Sequence, residues 1–461
     1  MSTWLKGLEY YMPSRRRRSR AVLGGYFETL ETRQVLSVNP ITFGTVADIS
    51  SADGRVSSTV AAFTDTDTSA TSRDFKVTID WGDGSTSKGK IVAVDAGFEV
   101  TGKHHFRVTG ERQIAVTVHD KSGNSASNGG YATNNLISDQ AGQAEHTDPN
   151  LVNSWGLALS TAGPFWINAN GTGVSTVDNG EGEVQSLVVT VPTPPGVEGP
   201  SAPTGIVFNG TADFAVTGGV SHFIFATEEG TISGWHSGTL AELKVDNSAS
   251  GAIYKGLAIG SVGTDNFIYA TDFHNGKIDV FDKNFAAVQP AGDFQVPKLP
   301  AGFVPFGIEN INGKLLVTYA KQDSEGVDDV QHKGFGFVAE FSTDGHYIKT
   351  LVSKGPLNAP WGLAQAPDDF GRFSNDLLVG NFGDGTVNAF DPDTGDFLGQ
   401  VTDVSGQPLT IDGLWAIKFG NGAAGGDTDD IYFTSGPGDE QHGLFGELGA
   451  VGDPTHVNIG A

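Results

Sequence analysis

The chain has 461 residues, no cysteine, and 54 Asp/Glu against 28 Lys/Arg, a formal net charge of −26. The absence of cysteine excludes disulfides, thiolate metal sites and cysteine nucleophiles, and so acidic a balance argues against a nucleic-acid partner, since phosphate backbones would be repelled. Sixty-four glycines and twenty prolines, no sustained 3.6-residue apolar period and no run near 18 apolar residues predict a turn-rich, all-β protein with no transmembrane segment.

The first unit is a basic leader over residues 1–39. Residues 1–40 hold seven Lys/Arg and three Asp/Glu, leaving 21 basic against 51 acidic side chains in the rest. Arg15 to Arg18 and Arg20 precede a short apolar stretch, Ala21-Val22-Leu23, too brief for a full signal core. The phrase LETRQVLS resembles the Arg-containing leader at the start of large exported or surface proteins of certain bacteria. Leu30, Glu31, Arg33, Leu36 and Ser37 match it, and Val35 replaces the first leucine of the usual pair. The resemblance implies export to an extracellular or cell-surface location, with the leader itself disordered.

Residues 40–124 contain six or seven strand-like runs separated by Asp/Gly/Ser turns, the pattern of a small β-sandwich. Trp81-Gly82-Asp83-Gly84-Ser85, then His105-Phe106, Gly110 and Val116-Thr117-Val118-His119-Asp120, resemble the PKD (polycystic kidney disease) domain. The match departs where Trp81 directly precedes the Gly-Asp-Gly turn and where Arg112-Gln113 stand in place of an aromatic. Such modules are spacers or adhesive units, so the resemblance implies no catalysis. Residues 125–130 (SASNGG) read as a linker.

From 131 to 461 one phrase recurs six times: SWGLAL, PTGIVF, YKGLAI, PFGIEN, PWGLAQ and LWAIKF. Its pivot falls at Gly156, Gly205, Gly256, Gly307, Gly362 and Ala416, in steps of 49, 51, 51, 55 and 54 residues. A second strand-like run and a glycine-rich turn follow each phrase. Repeats of this length with strand content predict a six-bladed β-propeller, one four-stranded blade per repeat. The pivot glycines are expected where innermost strands crowd around the axis. Residues 131–140 form an orphan strand, expected to complete the sixth blade and remove its open edge.

Several phrases here resemble a bacterial family of uncharacterised proteins: Asn135-Leu136-Ile137-Ser138-Asp139, Thr147-Asp148-Pro149-Asn150-Leu151-Val152-Asn153-Ser154-Trp155-Gly156, Gly163-Pro164-Phe165-Trp166 and Tyr269-Ala270-Thr271-Asp272-Phe273. More distantly the repeats look like NHL-type repeats and the six-bladed lactonase/hydrolase propellers. In such enzymes a Ca²⁺ held by Asp, Glu and Asn sits at the channel mouth. Aligning the repeats here places Asn170, Glu228 and Asp272 after the second strand, as candidate metal ligands, with Ala320, Phe382 and Gly436 in the other three. Asp or Asn in such turns also caps its own backbone. No H-x-H, H-E-x-x-H, G-x-S-x-G, P-loop or dinucleotide pattern is present.

Two functions stay open. The preferred one is a monomeric, non-enzymatic binding or scaffold propeller that requires no cofactor and presents its mouth to a protein, carbohydrate or small-molecule ligand. The alternative is a Ca²⁺-assisted lactonase- or esterase-like hydrolase. Catalytic residues are not identifiable from the sequence.

Overall fold

The computed structural model describes residues 41–107, 109–452 and 454–460. The leader expected over 1–39 lies outside them. Among the described residues the chain is almost entirely strand, with three-residue 3-10 turns as its helical elements, and no helix is long and apolar enough to cross a membrane.

Each recurring phrase opens an antiparallel meander. Four-stranded sheets begin at Ser154–Leu159, Pro203–Phe208, Tyr254–Val262, Phe303–Ile311 and Pro360–Gln365. The sixth begins at Leu414–Phe419, continues through Ile431–Ser435 and Leu444–Val451, and takes Gly130–Ser138 as its next strand. The orphan segment thus covers an edge that would otherwise stand open.

The six sheets close on themselves through apolar seams. Trp166 and Phe223 join the first to the second, Ile224 and Ile268 the second to the third, and Tyr269 and Leu315 the third to the fourth. Leu316 and Val379 join the fourth to the fifth, Leu378 and Phe433 the fifth to the sixth, and Tyr432 and Phe165 return from the sixth to the first. The result is a propeller-like ring.

Glycine at the pivots answers a close approach. A Cβ on Gly156 would fall 2.1 Å from the Thr204 carbonyl oxygen, and one on Gly307 2.1 Å from that of Trp361, each in the neighbouring sheet. The strand register also shifts across the pivot region in all six sheets. The carbonyls this frees are satisfied across the seams: Asn168 Nδ2 donates to Thr204 O (2.9 Å), Thr271 Oγ1 to Phe306 O (2.6 Å), and Thr434 Oγ1 to Trp155 O.

Residues 41–127 build two further sheets around one core containing Phe63, Ile79, Trp81, Val100 and Val116. Two features of this unit were not read from the sequence. Ser125–Ser127, read as linker, pairs with Gly110–Asp120. Thr455–Ile459, beyond the ring, returns to lie between Ile49–Ser51 and Gly110–Asp120, burying Val457 and Ile459 in the core. Arg372 of the fifth sheet's hairpin reaches Asp80, and both side chains are largely buried.

Candidate functional site at the mouth of the ring

The residue before each pivot faces the axis of the ring. Five of these six are Trp155, Lys255, Phe306, Trp361 and Trp415; the sixth is Thr204, whose hydroxyl donates to the Tyr254 carbonyl (2.6 Å). The indoles of Trp155 and Trp415 stack with centroids 3.5 Å apart, Phe382 stacks on Trp415 at 3.9 Å, and Trp361 meets Trp415 edge-on. An aromatic column therefore fills the axis, as adjoining first strands leave room for flat side chains but little backbone space.

Lys255 is the charged member of this column, and its side chain is 4% exposed. Its Nζ lies 2.5 Å from Glu228 Oε1 and 3.6 Å from Asp328 Oδ1, and stands over the rings of Trp155 and Phe273. Burial pulls its pKa down, but Glu228 and then Asp328 outweigh it and hold its pKa above the usual lysine value. The network continues around the mouth. Asn170 Nδ2 donates to Glu228 Oε2 (3.1 Å), and Asn153 Nδ2 donates to both Asn170 Oδ1 (3.2 Å) and Glu440 Oε2 (2.8 Å). Asn153 Oδ1 accepts from Trp415 Nε1 (3.0 Å), tying the polar layer to the aromatic one. Burial, then the charge of Glu228, raise the Glu440 carboxyl. Burial pushes Asp329 up to about 7 against the pull of Lys255, and its Oδ2 is buried without a donor.

Beside this layer a cavity of about 480 Å³ opens, bordered by Phe382, Asp384, Thr410, Asp412, Asp439 and Glu440, with Gln331 on its rim. Its walls come from turns of the fifth and sixth sheets and from the 322–334 insertion of the fourth.

The structure joins two of the three residues aligned from the repeats. Asn170 and Glu228 are hydrogen-bonded neighbours, whereas Asp272 serves its own turn. Its carboxylate accepts from the backbone of Ile253 and Asn275 (3.2 Å each) and from Asn275 Nδ2 (2.8 Å), with Lys277 Nζ 3.6 Å away. A divalent ion at Glu228 would lie against the buried ammonium of Lys255, and charge repulsion opposes it. Among the described residues no three His, Asp or Glu side chains group as a metal shell. Sequence reasoning missed Lys255, Asn153, Asp329 and Glu440. Lys255 carried a signal, as a charge at a position that is aromatic in four of the six phrases; Asn153 stands three residues before the first pivot, within the family phrase, and Asp329 and Glu440 lie in loops with no repeat position.

No protein-family model matches the chain. It is similar to uncharacterised protein R648 of Acanthamoeba polyphaga mimivirus, 33% identical over 334 residues, which cover 69% of this chain and 80% of R648. Uncharacterised protein L690 of the same virus is 32% identical over 335 residues, covering 69% of this chain and 85% of L690. These relatives are viral, where the sequence phrases had pointed to a bacterial family. Among solved structures, virginiamycin B lyase from Staphylococcus aureus aligns over 81% of this chain and 99% of its own, at 16% identity and a TM-score of 0.41. By its identity to R648 and L690 over most of their length, the chain belongs to the family that contains these two mimivirus proteins.

Proposed function

We propose that this protein is a six-bladed β-propeller that binds a ligand at the mouth of its ring and is not an enzyme. The observation that carries this reading is the 480 Å³ cavity opening beside a filled aromatic axis. With the axis blocked, the mouth cavity is a concave place where a ligand can be enclosed. Six meandering sheets, six seams and one closing strand support the blade count. Lys255, the obvious nucleophile of the column, is ion-paired and protonated, so its lone pair is unavailable. The residue 41–127 unit, on its resemblance to PKD domains, is a non-catalytic module, and the leader motif supports export to an extracellular or cell-surface setting. The Ca²⁺-assisted hydrolase has less support, because Glu228 already faces an ammonium and Asp272 caps its own turn.

A thermal-shift screen of small molecules and oligosaccharides against the wild type and Thr410→Trp tests the assignment. Thr410 is exposed on the cavity rim, so the indole fills the space without entering a core. Compounds should stabilise the wild type, by about 2.7 kcal/mol at a hundredfold excess over Kd, and leave the variant unchanged. Hits that stabilise both equally would place binding elsewhere.

A further inference from the structure

The ionisable side chains bordering the mouth cavity are Asp384, Asp412, Asp439 and Glu440, all acidic. The ring of Phe382 also borders it, with one face stacked on Trp415 and thereby held rigid. A carboxylate set beside an aromatic face is the combination that recognises organic cations. The same mouth shows it at work on the protein's own ammonium: Lys255 sits between Glu228, Asp328 and the faces of Trp155 and Phe273. The cavity repeats those elements with no basic side chain among its lining residues.

One of these carboxylates is held in place from behind. Asn358 is 7% exposed, and its carboxamide lies behind the cavity wall, donating through Nδ2 to Asp384 Oδ2 (3.1 Å). Its Oδ1 has no donor and is turned to Gly383, where an added Cβ would fall 2.4 Å from it. Asn358 is itself out of a guest's reach, and what it contributes is a fixed Asp384 carboxylate on the cavity wall.

Resting on the mouth-binding reading above, we infer that the cavity takes a small ligand bearing an ammonium group, with the cation over Phe382 and within reach of Asp412, Asp439 and Glu440. Alkylammonium and aryl-alkylammonium compounds are the matching class. Anions are excluded by the surrounding carboxylates.

Calorimetric titration of the full chain with tetramethylammonium and phenethylammonium tests this, with 2-phenylethanol as the uncharged counterpart of the second probe. Binding of the ammonium probes is expected, weakening with added salt, and falling at least tenfold in Asp412→Asn/Asp439→Asn and in Phe382→Leu. The double variant alters exposed side chains only, so its fold is retained, and circular dichroism verifies this. Equal binding of 2-phenylethanol, or ammonium binding unchanged in the double variant, overturns the cation assignment while leaving the mouth as a binding site. No ammonium binding, with neutral hits in the Thr410→Trp screen, likewise sinks the cation alone. Silence in both experiments sinks both readings.

Discussion

Lys255 shows how one side chain can set the chemistry of an otherwise apolar axis. Its ammonium lies inside a ring of indoles and phenyls, where an unpaired charge is not tolerated, and Glu228 is the partner that makes it acceptable. Lys255→Met keeps the apolar stem but takes the cation from Glu228, which stays partly exposed and hydrogen-bonded by Asn170. Stability should fall by about 1–3 kcal/mol, and Lys255→Met/Glu228→Gln should recover most of the loss, because both charges then leave together. Urea denaturation of the three variants reads this directly. A double variant no more stable than Lys255→Met would show that Glu228 is not the relevant partner. The same side chain marks what could have been read in advance. Its position is written in the repeat, one residue before a pivot, and a charge there conflicts with the aromatic column. Glu440 and Asp329 sit on connections of irregular length, so no register relates them and only folding brings them to Lys255.

The strands divide along the same line. The first strand of every sheet was legible, because in five of the six a pivot glycine is demanded by close approach from the next sheet, and the sixth phrase, with Ala416 at the pivot, keeps the spacing. The closing role of Gly130–Ser138 followed from the need to cover an edge. The strand Thr455–Ile459 was not legible. Its alternation of buried Thr455, Val457 and Ile459 with exposed His456 and Asn458 is ordinary for any half-buried strand, and its partners lie on the far side of the ring in sequence. Its worth is measurable. Val457→Asp places a carboxylate among Ile114, Val56 and their neighbours in the 41–127 core, and should destabilise that unit by several kcal/mol. Amide hydrogen exchange should then quicken in Gly110–Asp120 and Ile49–Ser51 while the pivot strands stay protected. Unchanged protection in Gly110–Asp120 would mean that the added strand contributes little.

For the whole molecule the buried carboxyls set a pH response. Burial raises Asp178, Asp329 and Asp376 from 3.8 to about 7. Below about pH 4 folded and unfolded chains both hold these protons, and the groups cost nothing. As pH rises toward 7 the unfolded chain loses them first, so stability falls across that window and levels off above it, by about 1.4 kcal/mol for each unit of displacement at each site. The net charge of −26 adds self-repulsion in the same direction. The melting temperature should therefore be higher at pH 5 than at pH 8, and Asp178→Asn should flatten the slope. A melting temperature that climbs between those values would contradict the protonated interior. The returning strand carries a further consequence, for synthesis on the ribosome. Residues 41–127 emerge before the ring, yet the slot between Ile49–Ser51 and Gly110–Asp120 stays vacant until every sheet of the ring has been translated. A unit made before the ring is thus completed only after it, and the nascent chain must carry a bare strand edge, a template for wrong pairing, while all six sheets are synthesised.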